Sequence, residues 1–371
     1  MTATKAPWVK HPGFYIREEM EERGWLQRDL AFVLGVPEQG VNMILSGKRK
    51  ISPSMARALA DAFDTDSDFF ARLQLAYDMA HVEAPAPSIA VRGNMQSHYP
   101  VREMVRRGWL AHADTPSMEA QLARFFEVTT ADEIPYLAHA AKKTRYEDRQ
   151  IPPAQLAWLF RVRQIARSIS VPPYSESTLV KAVGELQQLL RAPEEARHVP
   201  RILSDCGIRY VVVEKLPRAK IDGACFWVNG GPVIGMSLQR DTIDNFWFVL
   251  RHEIEHVLRR DGQDDEVIDE DLAEGPTVLP EEIAANAAAA DFCVPREKLD
   301  SFMTRKKPFY YEKDVVAFAK LHQRHAGLVV GQMQKRMDRW DYLNRHLVKV
   351  RHCVIPAAVA DGWGQMFPVS T

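Results

Sequence analysis

Residues 243–260 read IDNFWFVLRHEIEHVLRR. Ile243, Phe246, Trp247, Leu250, Ile254 and Val257 recur at helical spacing with no Gly or Pro between them, which predicts one long apolar helix. His252 and His256 are four residues apart, so both imidazoles stand on one helical face, one turn above each other. They can reach a single metal ion at about 2 Å. Glu253 is offset from that face, placed to take a proton from a water activated at the ion and pass it to a leaving amine. Two satisfied histidines on an apolar helix are the bland alternative. Burying two histidines and a glutamate without a partner is costly, however, and a cation is the natural partner.

A tetrahedral catalytic site needs a third protein ligand and one open position. EEIAANAAAADFCVP, residues 281–295, offers Glu281 and Glu282. Asn286 lies one turn after Glu282 and can reach back to orient a histidine, which favours Glu282 as the ligand. The competing reading makes both glutamates first-turn partners of the helix dipole. A His₂Glu set suits Zn²⁺, and Mn²⁺ is possible with it.

Working outward, IRYVVVEKL (208–216), ACFWVN (224–229) and PVIGMSL (232–238) are β-rich, and Gly230-Gly231 separates the last two. They predict the hairpin of a small antiparallel sheet, and the stretch from 205 reads as α+β. PVIGMSL is expected at the sheet edge, where an extended peptide could pair along it; an ordinary protected edge is the alternative. Residues 261–282 hold ten Asp or Glu and no Lys or Arg, which reads as a solvated loop.

The first 80 residues read as a compact helical module. FYIREEMEERG, QRDLAFVLG and PEQGVNMILSG predict three helices punctuated by Gly24, Gly35 and Gly47. Two short helices joined through a Gly-containing turn fit a helix-turn-helix. The second helix of such a pair enters the major groove, which sets Glu38, Gln39 and Asn42 at base edges and Lys48, Arg49 and Lys50 at phosphates. Ten Lys or Arg against eleven Asp or Glu over residues 1–80 count against a strong electrostatic footprint. A three-helix core with a solvated basic loop is the alternative.

Residues 81–100 carry prolines at 85, 87 and 100 and predict a linker. Residues 101–204 read as a helical middle region packed around Trp109 and Trp158, and 205–371 as the domain that bears the histidines. The organisation is thus multidomain, with an all-α N-terminal part and an α+β part. The chain has 371 residues, 46% apolar and 26% charged, with a net charge of −1, so collagen-like, coiled-coil and wholly disordered classes drop out. No apolar run approaches the length of a membrane helix, and MTATKAPWVKHPG lacks a secretory apolar core. Four cysteines without a C-x-x-C pair exclude a disulfide framework, and a reducing cytosol is the expected setting.

Two stretches resemble known families. HPGFYIREEMEERG, LQRDLAFVLGVPEQGVNMILSGKRKIS and LQLAYDMA, within residues 10–80, resemble Xre/HigA-type helix-turn-helix regulators. That resemblance implies a homodimeric domain that binds operator DNA, with Gln27 counted among its DNA-facing residues. Leu26 departs from the Ser or Thr usual there. Asp222-Gly223-Ala224, PVIGMSL, DNFWFVLRHEIEHV, Glu282-x-x-Ala-Asn286 and GLVVGQMQKR resemble the ImmA/IrrE metallopeptidases over about 205–340. This implies a gluzincin-like fold with His252, His256 and Glu282 as zinc ligands and Glu253 as catalytic base. The implied activity is limited cleavage of helix-turn-helix repressors, relieving repression under stress. Glu255 departs from the usual Gly or Ala.

The leading expectation is therefore a cytoplasmic regulator with zinc-dependent endopeptidase activity, not bound to a membrane. Its substrate would be a helix-turn-helix repressor, a toxin partner, or its own segment near 81–100. The alternative is a non-proteolytic repressor or antitoxin-like regulator whose metal site is structural or sensory.

Overall fold

In this computed structural model, residues 9–83, 85–129, 152–261, 263, 267–268, 280–362 and 366–367 are described. The chain divides into two compact units, Met1–Ile89 and Ala90–Thr371.

The first unit holds α1 (Pro12–Glu22), α2 (Gln27–Leu34), α3 (Glu38–Leu45), α4 (Pro53–Phe63) and α5 (Phe69–His81). Ile16, Leu30, Val41, Ile44, Leu59, Phe63 and Phe70 meet in one core. Gly35 turns the chain between α2 and α3 at φ 64°, a left-handed conformation that Gly adopts without steric cost. Leu26 cannot cap α2 with its side chain, and Asp29 compensates by accepting from the Leu26 N–H at 2.7 Å. Helix α5 ties down the loop after α3. Gln74 accepts from the Ile51 N–H at 3.0 Å, and Asp78 pairs with Lys50 at 3.0 Å. Tyr77 meets the His11 ring edge-on at 4.8 Å. The motif LQLAYDMA thus serves to brace the loop after α3.

Helices α6 (Pro87–His98), α7 (Val101–Arg106), α8 (Thr115–Phe125), α9 (Pro153–Arg167), α10 (Glu176–Gln188) and α11 (Val199–Asp205) follow. The stretch 81–100, expected as a linker, is helical over α6, and the boundary between the two units falls within it. Pro87 opens that helix, where a missing N–H is tolerated, and so does not break it.

The sheet contains β1 (Arg209–Val212), β2 (Gly223–Val228) and β3 (Gly231–Met236), then β4 (Val267–Ile268), β5 (Val359–Asp361) and β6 (Met366–Phe367). Its order is β4-β2-β3-β1-β5-β6. The expected hairpin forms between β2 and β3 through Asn229 and Gly230, both at positive φ (50° and 75°), as a two-residue primed turn requires. The sheet is mixed, however, not purely antiparallel: β1 runs parallel to both β3 and β5. Residues 213–222 carry the chain past β1 before the hairpin, so β3 is the strand that docks on β1. PVIGMSL therefore lies inside the sheet with β2 and β1 on its two sides, and its expected role as a free peptide-pairing edge is ruled out.

Both sheet faces are covered. Alternate residues Tyr210, Val212, Cys225, Ile234 and Met236 face one core together with α12 (Ile243–Arg259). Val211, Ala224, Phe226, Val228 and Val233 face another with α9. A Cβ on Gly235 would lie 2.8 Å from Val162 and 3.0 Å from Trp158, so α9 presses directly on β3. Trp158 donates to the Val213 carbonyl at 2.7 Å, and Arg161 grips Asp361 of β5. The middle helices are thus the second layer of the same unit. After α12 come α13 (Pro280–Cys293), α14 (Arg296–Lys306), α15 (Glu312–Leu321), α16 (Ala326–Met337) and α17 (Arg351–Val354). Most of the acidic run, 262, 264–266 and 269–279, lies outside the described residues.

Candidate metal centre

Helix α12 buries most of its surface, leaving a polar stripe of Asp244, Arg251, Glu255 and Arg259, because it packs between the sheet and α13. His252 and Glu253 are fully buried and His256 is 1% exposed. The Nε2 atoms of His252 and His256 face each other at 3.0 Å. The first turn of α13 brings in Glu282, whose two oxygens lie 3.3 Å from His252 Nε2 and 3.4 Å from His256 Nε2. Two nitrogens and one oxygen thus lie within 4.8 Å of one another. Glu281, its neighbour, is not in this cluster.

The histidine tautomer can be read from the hydrogen bonds. His256 Nδ1 lies 2.9 Å from an Asp261 carboxylate oxygen. An ionised carboxylate only accepts, so Nδ1–H donates to Asp261, which assigns Nε2 as the ring atom left to face the cluster and to serve as a ligand. A carboxylate behind a histidine in this way fixes its ring and raises its basicity as a ligand. Two imidazole lone pairs and an anionic oxygen aimed at one point form a donor set that fits a borderline-soft divalent cation such as Zn²⁺.

Glu253 lies against β2. A Cβ on Gly223 would sit 2.5 Å from Glu253 Oε1 and 2.9 Å from Val249 Cγ1, so any larger residue would force this carboxylate and Val249 to shift. Burial, with the charges of Glu253 and Asp261, pushes the Cys225 thiol well up, which keeps it protonated and unsuited to metal. Glu255 is held by Arg251 at 2.8 Å, which neutralises the extra carboxylate of this motif.

One expectation needs revision. Asn286 is one turn from Glu282 as its spacing required, but its buried Oδ1 has no hydrogen-bond partner among the described residues. The orienting contact comes from Asp261 instead. Asp261 follows the left-handed Arg260 (φ 58°) that ends α12, and this sharp turn is what swings its carboxylate back to His256. Its signal in the sequence was hidden at the head of an acidic run. Gly223 was visible only as part of a resemblance.

In the first unit, α3 buries Val41, Ile44 and Leu45 and exposes Glu38, Gln39 and Asn42. Lys48, Arg49 and Lys50 are exposed beyond it, Lys50 being engaged by Asp78; Gln27 opens α2 half-buried.

The comparisons agree with this division. Residues 16–70 match the helix-turn-helix family model, and residues 207–326 match that of the IrrE N-terminal-like domain, an M78 peptidase family. The chain therefore joins an Xre-type helix-turn-helix region to an IrrE/ImmA-like region. It is also similar to virulence-associated protein A' of Dichelobacter nodosus, 36% identical over 73 residues. That match covers 19% of this chain and 64% of the relative's length. No helix among the described residues is long and apolar enough to cross a membrane.

Proposed function

We propose that the chain is a DNA-binding transcription regulator that is also a zinc-dependent endopeptidase, acting on a helix-turn-helix repressor or toxin partner. His252, His256 and Glu282 hold the ion, with Zn²⁺ first and Mn²⁺ second. The observation that carries this reading is the convergence of those three donor groups beside a buried Glu253. Zinc, when bound, supplies Lewis acidity to a peptide carbonyl and to water. Asp261 keeps the His256 Nδ1 proton in place and so keeps Nε2 a ligand. Glu253, walled in by Gly223 and Val249, accepts the proton of the attacking water and delivers it to the departing amine nitrogen. Burial of the site excludes bulk water and strengthens each charge interaction.

Cleavage in cis at 87–98 is disfavoured, because α6 keeps that backbone in helical hydrogen bonds while a peptidase needs an extended strand. The first unit presents α3 to operator DNA, and it acts as a homodimer on a two-fold operator.

Glu253→Gln removes the proton acceptor and leaves the ligands intact. The purified variant should hold as much zinc as the wild type, by elemental analysis, and yield no fragments of a cognate repressor by mass spectrometry. Cleavage at the wild-type rate refutes the assignment of Glu253. Absence of cleavage by the zinc-loaded wild type against every cognate repressor and toxin would favour the sensory reading.

A further inference from the structure

A cavity lies at the far end of β2 from Gly223, and two of its lining residues, Trp227 and Arg260, adjoin the Asp261 that holds His256. Of about 490 Å³ and open to solvent on one side, it forms around the β2–β3 turn and residues 171–174. Gly223, at the metal end of β2, and Trp227, which lines the cavity, are roughly 13 Å apart along an extended strand. The volume is that of a small-molecule site.

The lining is built, not incidental. Gly207, at φ 82°, lets the 172–174 segment close one side, for a Cβ there would lie 2.6 Å from the Tyr174 backbone. Gly231 admits the Arg209 guanidinium, which would lie 2.5 Å from a Cβ at that position. Trp227 is fixed by donating to the Asp261 carbonyl at 3.1 Å, and Tyr174 packs on it edge-on at 5.5 Å. Burial and the nearby Glu176 push the Tyr174 hydroxyl up to about 12, so it stays neutral at pH 7.

Among the described residues the lining charge is of one sign: Arg209 and Arg260 both line the cavity, and no described Asp or Glu does. Arg260 pairs with exposed Glu176 at 3.2 Å, an exchange that water screens and a ligand can displace. Arg209 is half-buried, donates from Nε to the Ile169 carbonyl, and pairs with no carboxylate among the described residues. A half-buried guanidinium fork facing an open cavity, beside an anchored indole, lacks an anion and a planar ring.

We propose that this cavity binds a small organic anion that carries a planar ring, of about mononucleotide size. The two guanidinium groups take the anionic group, and Trp227 takes the ring. The site stands on its own geometry, so it holds whether or not the metal centre is a peptidase.

The test uses the full chain with AMP as the probe, and adenosine and inorganic phosphate as its separated halves, by isothermal titration calorimetry. AMP should bind one to one, at least tenfold more tightly than either half. Arg209→Met should weaken AMP at least tenfold. Asn229→Asp keeps a residue that tolerates the left-handed turn and sets a carboxylate at the mouth, and it should weaken AMP similarly. Zinc content should be unchanged in both variants, which separates this site from the metal centre. No AMP binding up to millimolar concentration overturns the proposal. So does phosphate binding as tightly as AMP, or AMP binding unchanged in Asn229→Asp.

Discussion

Gly223→Ala tests the placement of Glu253 without touching a metal ligand. Gly223 has no left-handed φ, so the backbone accepts alanine and the only change is one methyl group. That methyl would sit 2.5 Å from Glu253 Oε1, against about 3.4 Å for ordinary contact, so the carboxylate must retreat by about 0.9 Å. Val249 Cγ1, at 2.9 Å, must give way by about 0.5 Å. Both belong to a buried helix pinned between sheet and α13, so neither can swing into solvent. Overpacking of this kind costs about 1–3 kcal/mol. Displacing a catalytic group by about 1 Å costs on the order of 100-fold in rate, or about 2.7 kcal/mol. The expected result is a melting temperature lower by about 2–4 °C per kcal/mol, zinc content unchanged, and cleavage of a cognate repressor reduced by about two orders of magnitude. Gly184→Ala is the control: it lies on α10 with nothing near its Cβ, and should raise stability by about 0.5–1 kcal/mol. Wild-type turnover and melting temperature in Gly223→Ala would show that Glu253 does not occupy this position.

Three further outcomes are expected. Asp261→Ala removes the carboxylate behind His256 and should weaken zinc about 10- to 100-fold in a chelator competition, and an unchanged affinity would leave Asp261 a bystander. Burial raises the Asp244 carboxyl above its ordinary value, so its stabilising effect is full below about pH 4 and is lost as pH rises through the raised folded-state value. Asp244→Asn should therefore raise the melting temperature at pH 7 and flatten its fall between pH 4 and 7; a lower value at pH 7 contradicts this. At the DNA face, Asn42→Ala should cost about 1–3 kcal/mol at particular operator positions, whereas Arg49→Ala should weaken all sequences alike and reduce the salt slope by about one, as read by titration at several salt concentrations.

The histidine pair was legible because helical spacing is local. Once 243–260 is a helix, residues four apart must share a face, and the β-rich runs at 208–238 likewise announce strands. What a strand pairs with is not local. Nothing in PVIGMSL states that β1 will dock beside it, since that depends on how residues 213–222 cross, and the edge reading failed for this reason. Pro87 announces a break in the chain but equally suits the first turn of a helix, and only the residues after it show that α6 begins there.

The support of the site was harder to see than its ligands, and for one physical reason. Asn286 was favoured because one-turn spacing was the only proximity a sequence displays, but His256 takes its orienting carboxylate from the turn that ends its own helix, where direction depends on a single left-handed residue, Arg260. Gly223 is 30 residues from Glu253 and matters only because β2 and α12 pack closely enough to leave no space for a methyl. Ligands are set by periodicity, whereas their orientation and clearance are set by packing between distant segments. A His-x-x-x-His pair on a helix therefore identifies where a cation could sit, and it is Asp261 behind His256 and Gly223 beside Glu253 that distinguish a prepared site from two buried imidazoles.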